Sequence, residues 1–290
     1  MTRTVVVHVD DLGMTHGANV AFAELSALGT VTSGSVMVPC PWFPELAAMS
    51  AADARLDVGV HLTLTSEAAG YRWRPLTRPP ASAGLTDDLG FFYPDVPTLR
   101  ARAHPDAVEA EMRAQIDLAQ AAGIDVTHLD DHMGAVLAPE FAGAYVRVAR
   151  DYRLPLLMCP TLSTYGGPHN MTGITEDAFA PGVATARAAG FTIFDRITET
   201  EWSDCEDPEG RYKALFEGLP QGLNFLALHH TAPGEIEAVD RRFHRLRIAE
   251  YTLFRSPDFA RWLRAHPGLA LTGMHRFRTT LRASGALRRG

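Results

Sequence analysis

The sequence predicts an α/β fold of mostly parallel strands, with a (β/α) barrel, complete or incomplete, as its architecture. Three observations lead there. Short apolar runs alternate with stretches of helical periodicity along most of the chain, the pattern that right-handed βαβ units leave in a sequence. About seven such units fit into the 290 residues, which is the usual scale of a barrel. No Gly-x-Gly-x-x-Gly turn follows the first run, so the main signal for an open dinucleotide-binding sheet is missing, although an open doubly wound sheet stays compatible with the alternation.

In order along the chain, residues 4–9 form a β-branched run that reads as a buried strand. Helical spacing covers 17–28, and Gly29 is a natural stop. Residues 35–38 and 57–63 are the second and third strands. A helix over 107–122 is closed by Gly123, a fourth strand covers 126–129, and a helix over 139–152 carries Pro139 in its first turn. Strands are expected at 154–159, 191–197, 224–229 and 269–272, and helices at 241–254 and 257–265. Two stretches break the alternation, 71–97 and 161–190. Both are rich in turn-forming residues, and such long loops are either substrate walls and lids or surface insertions. With no repeat and no low-complexity linker, residues 1–275 are expected to be one domain. After it comes an Arg-rich tail, 276–290, read as solvated, with Arg276, Arg278, Arg282, Arg288 and Arg289.

Composition excludes some functions. The net charge is −7 with both signs mixed along the chain, which offers no basic face for nucleic acid. Cys40, Cys159 and Cys205 have no CxxC spacing, so a disulfide framework is not expected. The apolar run near the N-terminus is too short for a signal sequence and is followed at once by acids. No stretch approaches the ~18 apolar residues of a membrane span. A soluble, cytoplasmic protein is expected, with no membrane partner. A homodimer is kept as an expectation because symmetric self-association is common.

The chemistry sits at the ends of the predicted strands, where the loops of a parallel barrel build active sites. The first strand ends in Asp10-Asp11, the third in Gly59-Val60-His61, the fourth in His128-Leu129-Asp130-Asp131-His132, and the seventh in His229-His230. Each group has an ordinary alternative: a helix cap for the acids, a hydrogen-bonded core residue for His61, polar loop residues for His128 and His132. Four such groups at four strand ends point instead to one divalent-ion site. Two imidazoles and a carboxylate leave coordination positions open, the catalytic pattern for Zn²⁺ and similar ions. One aspartate would bind the ion while its neighbour acts as a base on a metal-activated water. A protonated histidine would serve the leaving group. This reads as a metal-dependent hydrolase. Cleavage of an amide, an ester or a phosphoester, and a non-catalytic sugar-binding role, all remain open at this level.

The same segments resemble the YdjC-like carbohydrate deacetylases, also called the ChbG/HpnK family. Val9-Asp10-Asp11-Leu12-Gly13-Met14 resembles its "ADDFG" opening, and Gly29-Thr30-Val31-Thr32-Ser33 its "GxVTS" turn. Gly59-Val60-His61-Leu62-Thr63-Leu64 resembles "GLHLxL", and Thr127-His128-Leu129-Asp130-Asp131-His132 resembles "THLDSH". Leu228-His229-His230-Thr231-Ala232 sits where the family has "HP" before a small residue. Arg247, Glu250 and Tyr251 fit its late "RxxEY" helix. The resemblance implies a distorted, partly closed barrel of about seven strands and removal of acetyl groups from N-acetylated sugars. It implies one divalent ion on Asp11, His61 and His132, Asp10 as general base and His230 as general acid. His128, Asp131 and His229 are expected around the ligands or the substrate, with Trp73 and Trp202 as sugar-stacking faces. The two imidazoles favour Zn²⁺, while the family is often associated with Mg²⁺. Two departures, His132-Met133-Gly134-Ala135-Val136 for "HQHVH" and Leu157-Met158-Cys159 where relatives tend to carry an arginine, make the pocket less polar.

Overall fold

The computed structural model describes residues 3–166, 171, 173–203 and 205–284, so Arg288 and Arg289 of the expected tail lie outside the described residues. The strands are β1 (Arg3–Leu12), β2 (Ser33–Val36), β3 (Val58–Leu62), β4 (Leu129–Asp131), β5 (Tyr165–Gly166), β6 (Arg196–Glu199), β7 (Gly222–Leu228) and β8 (Leu269–Leu271). They run parallel in the order β4-β3-β2-β1-β7-β6-β5. β8 joins the lower half of one edge of β1 through Arg3, Thr4 and Val5, while β2 pairs its upper half. The sheet curls into a half-barrel surrounded by helices, as the α/β alternation predicts.

The expected fifth strand, 154–159, makes only a single β-bridge, Leu129 to Leu156. Its backbone nonetheless spans the opening of the curl. Leu129 N donates to Pro155 O, Leu157 N to Leu129 O, and Phe194 N to Met158 O. The barrel is thus partly closed, with single hydrogen bonds where a full ladder would run.

Helix ends follow local chemistry. Thr15 caps helix His16–Leu28 by accepting from Ala18 N, and Gly29 ends it in the left-handed region (φ 71°). Proline opens helices Pro105–Ala121, Pro139–Tyr152 and Pro257–Ala265, where its missing N–H costs nothing. Helices Phe43–Ala52, Val96–Arg102, Pro208–Gly218 and Glu176–Ala188 were not expected. The last lies inside the supposed 161–190 loop and buries Phe179, Val183 and Ala186. The start of the tail is also ordered: helix His275–Ala283 buries Arg278, whose guanidinium donates to Asp125 and to Val126 O. That segment is therefore docked rather than solvated. Among the described residues no helix is long and apolar enough to cross a membrane.

Candidate active site and metal centre

β1 brings two neighbouring acids to one cleft through an irregularity in its pairing. Val9 faces Gly34 and Leu12 faces Val36, so β1 takes three steps (9 to 12) where β2 takes two (34 to 36). The extra residue is absorbed by Asp11, which has φ +61°, a conformation non-glycine residues rarely adopt and one that gathers at functional sites. Without that bulge, strand alternation would send Asp10 and Asp11 to opposite faces.

Asp11 is the hub. Its Oδ2 accepts from Arg247 Nη1 at 2.8 Å. Its Oδ1 lies 3.6 Å from His61 Nε2 and 3.2 Å from His132 Nδ1. Oδ1 is buried and takes no hydrogen bond of normal geometry, despite the short distance to His132. All three donors lie within 4.8 Å of one another. Tetrahedral ligands on a zinc-like ion with bonds near 2.1 Å would sit roughly 3.4 Å apart, so the spacing suits a divalent cation.

Each imidazole has a carboxylate behind it, and His61 Nδ1 also hydrogen-bonds Ser35 Oγ at 3.1 Å. Asp130 Oδ1 is 3.2 Å from His61 Nδ1, and Glu67 Oε2 is 2.9 Å from His132 Nε2. This arrangement orients metal-binding histidines and fixes their tautomer. Asp130 is itself held by Ser35, whose hydroxyl donates to Oδ2 at 2.8 Å, and by His8 Nε2 at 3.1 Å. His8 also reaches Asp10 Oδ1 at 3.4 Å.

The electrostatics favour a cation at this point. Burial disfavours a charged imidazole, yet Asp130, Asp10 and Asp11 outweigh it and lift His61 to about 9. Burial also opposes ionisation of Asp11, but the Arg247 guanidinium and His132 hold its carboxyl well below the usual range. Asp10 goes the other way. Burial, with Asp130 and Asp11 as like-charged neighbours, raises it well above an ordinary aspartate, although His61 opposes the shift. Asp10 Oδ1 is buried without a hydrogen bond and its Oδ2 lies 3.8 Å from His229 Nε2.

The structure separates residues that the sequence could not. His229, not the expected His230, faces the acids. Its Nε2 is 3.8 Å from Asp10 and 4.0 Å from Asp11, and its Nδ1 is 2.9 Å from Thr200 Oγ1. His230 is fully buried against Phe254 at 4.4 Å, and neither ring nitrogen finds a hydrogen-bond partner. Burial alone pushes it down to about 3, so it stays neutral. Alternation past the end of β7 puts one histidine in the cleft and its neighbour in the core.

The β4 motif divides similarly. Asp131 accepts from Val136 N and closes the turn after His132, and burial raises it to about 7. His128 lies deeper, edge-on to His8 at 5.0 Å, with burial and the neighbouring His8 lowering it to about 3. Of the two tryptophans, Trp73 is buried and donates to Thr65 O, so it is packing rather than an open face. Trp202 remains half-buried, 4.5 Å from His229 and over the Arg247 guanidinium at 5.1 Å. His8, Ser35, Glu67 and Thr200 were not anticipated, and Asp130, Arg247 and Glu250 were noted only within motifs. His8 carried a signal: it stands two residues before Asp10 on β1, on the same strand face.

Comparison with known proteins agrees with this architecture. A family model described as YdjC-like protein matches residues 4–265. A protein named carbohydrate deacetylase from Thermus thermophilus is 42% identical over 263 residues, covering 90% of this chain and 89% of that one. One of the same name from Brevibacillus brevis is 32% identical over 61% of this chain and 67% of that one. A crystal structure described as a putative cellobiose-phosphate cleavage protein from Enterococcus faecalis shares the fold, with a TM-score of 0.74 at 21% identity over 95% of this chain and 99% of that one. With nearly its whole length matched, the chain belongs to the YdjC-like protein family.

Proposed function

We propose that this chain is a metal-dependent carbohydrate deacetylase, a hydrolase that cleaves the amide C–N bond of an N-acetylated sugar. The observation that carries the reading is the meeting of Asp11 Oδ1, His61 Nε2 and His132 Nδ1, with a spare carboxylate, Asp10, beside them. The relatives named carbohydrate deacetylase support the substrate class. A divalent ion held by Asp11, His61 and His132 would polarise the acetyl carbonyl and acidify a water. Two imidazoles with one carboxylate suit zinc better than the oxygen-loving magnesium.

Asp10 acts as general base. Burial raises its affinity for a proton, and its Oδ1 carries no hydrogen bond, so it can take a proton from an adjacent water. His229, across from Asp10, delivers a proton to the departing amine and replaces His230 in that role. Trp202 offers the sugar a face next to His229. A reducing, cytoplasmic setting belongs to the same reading, supported by Cys40, Cys159 and Cys205 all being unpaired.

Acetate release from N-acetylated amino sugars tests the reading, using wild-type and Asp10→Asn proteins loaded with metal. The expected loss in Asp10→Asn is roughly 10²-fold or more, the scale of general-base catalysis. Full activity in that variant removes Asp10 from the mechanism. Absence of acetate from every N-acetylated sugar in wild type rejects the function.

A further inference from the structure

Behind His229 lies a buried chain of hydrogen bonds that the metal centre does not use. Thr200 Oγ1 is 2.9 Å from His229 Nδ1 and donates to Glu250 Oε1 at 2.7 Å. Tyr212 donates its hydroxyl to the same carboxylate oxygen. Glu250 Oε2 accepts from the backbone N–H of His229 at 2.9 Å. Thr200 and Glu250 are fully buried, while Tyr212 and His229 are nearly so.

Proton counting fixes the direction of this chain. Backbone N–H can only donate. A carboxylate receiving an N–H and two hydroxyls acts as an acceptor throughout. With Glu250 ionised, as its three donors favour although burial opposes it, the single proton of Thr200 goes to Glu250 and Thr200 Oγ1 accepts from His229. That places the ring proton of His229 on Nδ1 and leaves the Nε2 lone pair facing Asp10 and Asp11. The same contact explains why a helix far along the chain supplies Glu250. Its Oε2 pins the backbone of His229 while its Oε1, through Thr200, sets the ring.

We infer that Glu250 and Thr200 are positioning residues that hold His229 as the Nδ1–H tautomer, with Nε2 free to receive the proton that Asp10 takes from water and to pass it to the leaving amine. This rests on the deacetylase reading for the reaction, but not for the tautomer. The step balances. The water O–H breaks as its oxygen bonds the acetyl carbon, and its proton passes from Asp10 to His229 Nε2. The C–N bond then breaks with its electron pair on nitrogen, which takes that proton. The second water proton leaves with acetic acid and is lost to solvent as acetate forms. A buried acceptor behind the ring stabilises the transient positive charge, as in hydrolytic triads where the acid orients a histidine.

Two measurements test it. Nitrogen NMR of the metal-loaded wild-type protein, with the His229 signals assigned by their loss in His229→Gln, reads the tautomer without any substrate. Nδ1–H is expected, and Nε2–H overturns the inference. Turnover by Thr200→Val and Thr200→Ser then separates proton delivery from structure. On an N-acetylated amino sugar, Thr200→Val should lose roughly 10²-fold in kcat with KM little changed, the usual scale for acid–base catalysis, and Thr200→Ser should recover most of it. On 4-nitrophenyl acetate, whose leaving group needs no proton, Thr200→Val should change by less than about threefold, because only that catalytic contribution is bypassed. Equal losses on both substrates, or a loss confined to KM, mark Thr200 as merely structural. Wild type inactive on every acetylated sugar but showing the Nδ1–H tautomer would defeat the deacetylase reading and leave the tautomer assignment standing.

Discussion

Asp130 Oδ1 lies 3.2 Å from Nδ1 of His61, on the side of the ring away from Asp11. The Asp130 side chain is 2% exposed and also bound by Ser35 and His8. Together with Ser35, whose Oγ hydrogen-bonds His61 Nδ1 at 3.1 Å, it leaves Nε2 as the nitrogen that faces Asp11. Asp130→Asn is expected to weaken divalent-ion binding by roughly 10- to 100-fold, the usual effect of losing such an orienting partner. Calorimetric titration with Zn²⁺ measures it, and unchanged affinity would detach Asp130 from the metal centre.

Glu67 plays the matching part for His132, but its side chain is 29% exposed. Water competes for and screens that contact more than the Asp130 one. Glu67→Gln should therefore lower Zn²⁺ affinity by less than Asp130→Asn does in the same titration. The opposite ranking would show that solvent access does not grade the two supports.

Gly59 owes its identity to His128. A Cβ at position 59 would stand 2.5–2.7 Å from three atoms of the His128 ring, which is wedged in the barrel interior. Gly59→Ala is expected to cost about 1–3 kcal/mol of stability, the range for overpacking a filled core. Chemical denaturation measures it. In a double-mutant cycle with His128→Ala, the two losses should fall short of adding, because the second change removes the clash.

Arg278 ties the C-terminal helix to the barrel by donating to Asp125 and to Val126 O. Arg278→Met keeps much of the buried stem and removes the charged bonds. The expected loss is about 1–3 kcal/mol, given that hydrogen bonds to charged groups contribute about 1.5–3 each and Asp125 is largely exposed. Thermal unfolding measures it. A loss near zero would restore the picture of a solvated tail.

How far the sequence could be read depended on whether burial or exact register decided the outcome. The β1 run was legible because Val5, Val6 and Val7 are buried on both faces, and a strand buried that way is a continuous apolar run. The meeting of Asp11, His61 and His132 was legible as strand-end groups of a parallel barrel. The assignment between neighbours was not. His229 and His230, or Asp130 and Asp131, differ by one residue, and a single step reverses the face. Asp10 and Asp11 escape that rule only through a bulge, and no residue pattern announced it.

Other gaps have different causes. Helix Glu176–Ala188 was hidden by Pro181 and Gly182 within it, which read as loop signals although tertiary packing of Phe179 and Val183 holds the helix. The segment 154–159 had the composition of a strand, but it pairs too sparsely to form one. Arg247 and Glu250 stand three apart on helix His244–Phe254 and both serve the site, one through Asp11 and one through Thr200. Their partners lie far away in sequence, so spacing alone gave them no role.

The most direct test is to strip the protein of metal, add zinc back in steps, and follow acetate release from an N-acetylated amino sugar at each step. Activity should rise in proportion to added ion and level off at one ion per chain, as expected for a single site on Asp11, His61 and His132. Acetate release that is undiminished in stripped protein, or that does not return with any divalent ion, would contradict a metal-dependent deacetylase.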